Sequence, residues 1–221
     1  MPIVNEFQVR TFDDWVFRWR PSGSSPGRLL LLLHGWKGSE DSMWVFTRDL
    51  PRDYALLAPR APHADPEGGY TWRALTEGAW GFPALSDLQP AADALLSFLD
   101  SWSVSAGIDA DEFDLMGFSQ GAALALTLSV LHPGRIRSLA VLSGFLPAGA
   151  ETLLERQPFI GKAIFVAHGT KDELVPVERA RSAVTQLERA GARITYCESQ
   201  AGHKVSKECF GAIASFFGSS A

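Results

Sequence analysis

Cysteine is scarce, with two residues among 221, Cys197 and Cys209. Disulfide-stapled scaffolds and zinc ribbons need several cysteines at short spacing, so neither class applies. The pair reads instead as two reduced thiols acting as small buried hydrophobes. A basic surplus is also missing, since 20 Lys and Arg stand against 25 Asp and Glu for a net charge of −5. Without excess cations the chain has little means of neutralising a run of phosphates, which argues against nucleic acid as a partner. Long apolar runs are absent too. The longest aliphatic stretch, five leucines at 29–33, is far short of the roughly 20 residues of a spanning helix, so no stable membrane insertion is expected. Residues 1–10 are polar where an export signal would be apolar, and a cytoplasmic location is the expectation. No internal repeat, low-complexity tract or charge block interrupts the chain.

What the chain does have is a composition suited to one large core, 46% hydrophobic and 20% charged, and a length for which one domain over 1–221 is expected. Residues 3–9 and 15–19 read as an antiparallel edge hairpin, the second segment alternating Trp15, Phe17 and Trp19 with other residues. Beyond the turn at 21–27, apolar runs at 29–33, 54–58, 113–116, 136–142 and 163–167 read as strands buried on both faces. A last strand is expected at 193–197. Segments of helical period lie between and after them, at 88–102, 121–131, 176–190 and 206–217. In the third of these, Val177, Ala180, Val184 and Leu187 recur at helical spacing between Pro176 and Gly191, a start and a stop. Alternating strands and helices predict an α/β fold, a mostly parallel twisted sheet with helices on both faces. Ligands in such sheets bind beyond the carboxyl ends of the strands. One connection, 59–86, is long and rich in glycine and tryptophan, which suits a wall of a binding pocket.

The strand at 113–116 runs into Gly117-Phe118-Ser119-Gln120-Gly121 and then a helix, the context of a nucleophile elbow. Such a tight turn lifts Ser119 out of the backbone and aims the Gln120 N–H at a developing oxyanion. A serine hydroxyl needs a base. Of His34, His63, His132, His168 and His203, only the last two follow the serine, as the order serine, acid, histidine demands. His203 lies between the last strand and the last helix, the place of the base, whereas His168 ends a strand. The acid should follow a strand and orient the imidazole through its Nδ1–H. On residue type alone Asp172 and Glu173 both qualify. A second oxyanion donor is expected after an early strand, where the Trp36 N–H in His34-Gly35-Trp36-Lys37-Gly38 is the candidate.

These motifs carry a resemblance that covers nearly the whole chain after the hairpin. Leu32-Leu33-His34-Gly35, Pro59-Arg60-Ala61-Pro62, Gly68-Gly69-Tyr70-Thr71-Trp72, Gly117-Phe118-Ser119-Gln120-Gly121-Ala122, Leu142-Ser143-Gly144-Phe145-Leu146-Pro147, His168-Gly169-Thr170-Lys171-Asp172 with Val175-Pro176, and Gly202-His203 together resemble the α/β-hydrolase superfamily. Within it they are similar to the compact carboxylesterase, lysophospholipase and acyl-protein thioesterase family. The resemblance implies Ser119, Asp172 and His203 as a catalytic triad, which settles the acid on Asp172. It also implies the Trp36 and Gln120 amides as the oxyanion hole, a substrate pocket walled by Trp36, Trp72, Phe118, Phe145 and Leu174, and no metal or cofactor. Its reaction is two-step hydrolysis of a small-molecule ester, and its members include dimers, so a homodimer is left open. Without a long lid or a strongly amphipathic membrane helix, soluble short- to medium-chain esters are the expected substrates. A thioesterase or lysophospholipase would use the same triad, and a hydrolase-fold ligand receptor with little turnover is a further alternative.

Overall fold

In chain order the computed structural model, which describes residues 8–24, 27–74 and 81–219, opens with a hairpin of β1 (Gln8–Phe12) and β2 (Trp15–Arg20). There follow β3 (Arg28–Leu33), β4 (Tyr54–Pro59) and a small hairpin of β5 (His63–Ala64) and β6 (Tyr70–Thr71). Next come α1 (Leu85–Ala106), β7 (Phe113–Phe118), α2 (Gln120–Leu131) and β8 (Ile136–Leu142). A single helical turn, α3 (Glu151–Leu154), precedes β9 (Ala163–Gly169), α4 (Val177–Arg189), β10 (Arg193–Ser199) and α5 (Lys207–Ser219). The main sheet has the order β1-β2-β4-β3-β7-β8-β9-β10. From β4 to β10 all pairings are parallel, while β2 joins β1 and β4 antiparallel. This is the mostly parallel sheet with an N-terminal hairpin that the apolar runs predict.

Two clusters of apolar side chains cover the two faces, and the strands deal residues alternately to each. Leu29, Leu31 and Leu33 of β3 enter one cluster and Leu30 and Leu32 the other. Likewise β9 sends Ile164 and Val166 one way and Phe165 and Ala167 the other. The first cluster is completed by α1, α2 and Leu187 of α4, the second by Cys209, Ile213 and Phe217 of α5. Helix α2 is buried along nearly its whole length, which explains why it lacks a polar stripe: it lies between the sheet and α1. The hairpin covers α1 through aromatic contacts, Trp15 on Phe98 and Trp19 on Trp102, each pair with centroids 4.8 Å apart.

Three differences from the expectation have local causes. The first strand extends to Phe12, because Asp13, at φ 47°, and Asp14 make the turn that pairs Phe12 with Trp15. Residues 3–7 of the expected strand, and residues 75–80 of the long connection, lie outside the described residues. Helix α1 starts before Leu88 because the Asp87 carboxylate reaches back to accept the Ala84 N–H at 2.8 Å. Most consequential, Cys197 and Cys209 are not free thiols but are joined as a disulfide. Their separation in sequence carries no signal of this, since the bond exists only because α5 packs back across β10.

Candidate active site

Ser119 stands at the junction of β7 and α2 with φ 54° and ψ −118°, a strained conformation for a residue with a side chain. The flanking glycines allow it. A Cβ on Gly117 would lie 2.3 Å from the Gly121 carbonyl oxygen, and one on Gly121 would lie 2.2 Å from that of Leu33. The Ser119 N–H donates to the Leu142 carbonyl at 2.9 Å, tying the turn to the neighbouring strand β8.

His203, on the loop between β10 and α5, faces this serine with its Nε2 3.0 Å from Ser119 Oγ. Its Nδ1 is 2.7 Å from Asp172 Oδ2, so Nδ1 carries the proton and Nε2 is left as the acceptor for the serine hydroxyl. The Phe118 ring packs against the imidazole at a centroid distance of 5.1 Å. Asp172 is buried, and its Oδ1 accepts the N–H groups of Leu174 and Val175 at 3.0 and 2.9 Å. Glu173 is exposed. His168 is a neighbour of the acid that sequence order alone does not reveal. Its buried Nε2 donates to the Val175 carbonyl at 2.8 Å and lies 3.5 Å from Asp172 Oδ2.

Facing the serine from β3, residues 35–38 form a turn closed by the Gly38 N–H on the Gly35 carbonyl at 3.0 Å, with Lys37 at φ 60°. Neither the Trp36 nor the Gln120 amide N–H has a hydrogen-bond acceptor among the described residues, and Gln120 is the first residue of α2. Two such donors, one with a helix N-terminus behind it, suit the stabilisation of an oxyanion. The turn is braced beneath by His34. Its Nδ1–H donates to the Gly35 carbonyl at 2.7 Å, and its Nε2 accepts the Ala61 N–H at 3.0 Å. Burial holds this imidazole neutral, with a pKa lowered to about 4.

Further braces come from side-chain contacts that the motif pattern does not assign. The Gln120 side chain accepts the Trp72 N–H at 3.0 Å and bonds the Thr71 hydroxyl, so one residue offers its backbone to the site and pins β6 with its amide. Arg60 grips Glu40 with two bonds of 2.7 and 2.6 Å, and this guanidinium holds the Glu40 carboxyl below its ordinary range. Trp36 is fixed through its Nε1–H, which donates to Asp65 at 2.7 Å, while Lys37 pairs with Glu67. Pairings across 20 to 30 residues have no short-range signature.

The five expected pocket residues divide by exposure. Trp36 is 50% and Leu174 68% exposed. Phe118 is half-buried against His203. Phe145 is 3% and Trp72 1% exposed. Trp72 is thus less a wall than a brace, its indole N–H donating to the His34 carbonyl at 2.7 Å. Among the described residues no group of His, Cys, Asp and Glu is placed to hold a metal ion, and no helix is long and apolar enough to cross a membrane.

Comparison with known proteins gives relatives in sequence and in fold. The chain is 36% identical over 110 residues, 48% of its length, to a probable carboxylesterase of Oryza sativa subsp. japonica. It spans only 40% of that relative's length. It is 30% identical over 165 residues to acyl-protein thioesterase 1 of Saccharomyces cerevisiae, covering 67% of this chain and 71% of the yeast protein. In fold it superposes on the crystal structure of a Bacillus cereus carboxylesterase with a TM-score of 0.80 at 21% identity, over 92% of this chain and 93% of that one. The model of the phospholipase/carboxylesterase family matches residues 21–220, and the chain belongs to that family of α/β hydrolases.

Proposed function

We propose that the protein is a serine carboxylesterase that hydrolyses short- to medium-chain carboxylic esters through an acyl-enzyme. The observation that carries this reading is the chain of contacts from Asp172 Oδ2 to His203 Nδ1, 2.7 Å, and from His203 Nε2 to Ser119 Oγ, 3.0 Å. His203 Nε2 takes the hydroxyl proton as Ser119 Oγ attacks the ester carbonyl, and the oxyanion forms opposite the Trp36 and Gln120 N–H groups. The tetrahedral intermediate collapses, His203 returns its proton to the departing alkoxide, and an alcohol leaves. Water then attacks the acyl-enzyme by the same exchange, releasing the acid and restoring Ser119. Asp172 keeps its hydrogen bond to Nδ1 and stabilises the imidazolium.

Hydrolysis of p-nitrophenyl esters from acetate to palmitate, by the wild type and Ser119→Ala in parallel, tests the reading. Turnover is expected to peak at short or medium chains and to fall by several orders of magnitude in the variant. Undiminished turnover in Ser119→Ala would move the nucleophile elsewhere. Similarity to the yeast acyl-protein thioesterase favours a second reading, in which a thiol is the leaving group. An acyl thioester in the same assay separates the two by its kcat/KM relative to the oxygen ester.

A further inference from the structure

One exposed cation, at the start of α4, has no counter-charge among the described residues. Arg179, in the first turn of α4, lies with its guanidinium carbon 3.6 Å from the centre of the Phe82 ring and 5.9 Å from that of Phe145. Those two rings meet edge to face at 4.7 Å. At 3.6 Å the guanidinium must lie face-on, because a nitrogen pointed at the ring would penetrate it. Stacking therefore occupies the face of the group and leaves its in-plane N–H donors turned outward. Among the described residues these donors meet no acceptor: the Arg179 side chain has ring contacts but no hydrogen bond or ion pair. An arginine held flat by aromatics loses less freedom on taking up a ligand, and its fork matches a carboxylate.

Backbone links connect it to two segments that carry or hold the reacting groups. The Arg179 N–H donates to the Pro176 carbonyl at 2.9 Å, on the segment that also carries Asp172 and the exposed Leu174. Phe145 follows by three residues, at most about 10 Å of chain, the Leu142 carbonyl that accepts the Ser119 N–H. The Leu85 N–H on the Ala148 carbonyl, 2.9 Å, fastens the Phe82 segment to that loop. We infer that Arg179, stacked on Phe82 and Phe145, is a specificity-determining residue that selects esters bearing a free carboxylate at the end of the acyl chain. The inference rests on the serine esterase reading and narrows its substrate class to half-esters of dicarboxylic acids, so the product is a dicarboxylate.

The test compares p-nitrophenyl hexanoate with mono-p-nitrophenyl adipate, in which a carboxylate replaces the terminal methyl of the acyl chain. Arg179→Leu keeps apolar cover on both rings and is expected to lower the adipate-to-hexanoate ratio of kcat/KM about tenfold, mainly through KM. Arg179→Lys should retain part of the preference. Raising salt from about 0.05 M to about 0.5 M should lower the wild-type ratio and leave that of Arg179→Leu unchanged. Hexanoate turnover with the same ratio in wild type and Arg179→Leu would overturn the inference and leave the esterase reading standing. Wild-type hydrolysis of neither ester would also overturn it, and reaction of Ser119 with a fluorophosphonate then tells whether the esterase reading survives.

Discussion

Asp172 divides its two oxygens between different tasks. Oδ1 accepts the Leu174 and Val175 N–H groups and thereby fixes the carboxylate; Oδ2 is left to hold the His203 Nδ1 proton. An amide in its place has one oxygen for both tasks, and its NH2 group turned toward His203 would favour the tautomer with the proton on Nε2, useless as a base. Asp172→Asn is therefore expected to cut kcat/KM for p-nitrophenyl butyrate by about 10²- to 10⁴-fold in a folded protein. Glu173→Gln, at an exposed position, should stay within about twofold of wild type. The opposite ranking would transfer the acid to Glu173. Adjacent carboxylates are a case in which residue type alone leaves the choice open, because only the fold shows which one turns inward. Ser119 is different. Its glycine flanks are demanded by contacts of 2.2 and 2.3 Å that any side chain would create, so the tight turn that presents it is legible in five letters of sequence.

Among the elements, legibility follows burial. Strands covered on both faces, such as β3 with its five leucines, announce themselves in composition, whereas edge and turn positions depend on one or two polar residues, as at Asp13 and Asp87. Contacts between distant elements leave no periodic trace. Trp72 looks like pocket lining and is a buried brace, and the Cys197–Cys209 bond depends on how α5 docks on β10. That bond brackets the loop of His203, its ends 12 positions apart in sequence. Closing a loop of this size removes freedom from the unfolded chain worth roughly 2–4 kcal/mol. Thermal unfolding should show a lower Tm for the wild type with a thiol reductant than without, and no effect of reductant on the Cys197→Ser, Cys209→Ser double variant. Two free thiols in the denatured, unreduced protein, with a Tm insensitive to reductant, would restore the reduced pair expected from composition. A disulfide that survives purification would also argue for an oxidising compartment over the cytoplasm.

At the scale of the molecule, His34 couples the site's geometry to acid stability. It joins the end of β3 to the Trp36 turn and to Ala61, and it can do so only as a neutral ring, because its Nε2 must accept the Ala61 N–H. Burial lowers its pKa from 6.5 to about 4, so between those values the unfolded chain binds a proton that the folded protein refuses. Its contribution is thus complete above about pH 6.5 and is lost as pH falls toward 4, amounting to roughly 3 kcal/mol over the window. The Glu40–Arg60 pair acts lower down. With its carboxyl held below the ordinary value of 4.5, its contribution is present above that value and disappears only as pH falls further. Urea unfolding at about pH 7.5, 6 and 5 separates the two, since the first window belongs to histidine and not to carboxylates. From this one site, wild-type stability should fall gently between about pH 7.5 and 6 and with a slope approaching 1.4 kcal/mol per pH unit between about pH 6 and 5. His34→Gln, less stable overall, should show a slope smaller by that amount. The other histidines are common to both proteins and cancel in the difference. Equal slopes would mean that His34 is protonated in the folded state, and the hydrogen bond to Ala61 would have to be abandoned with it.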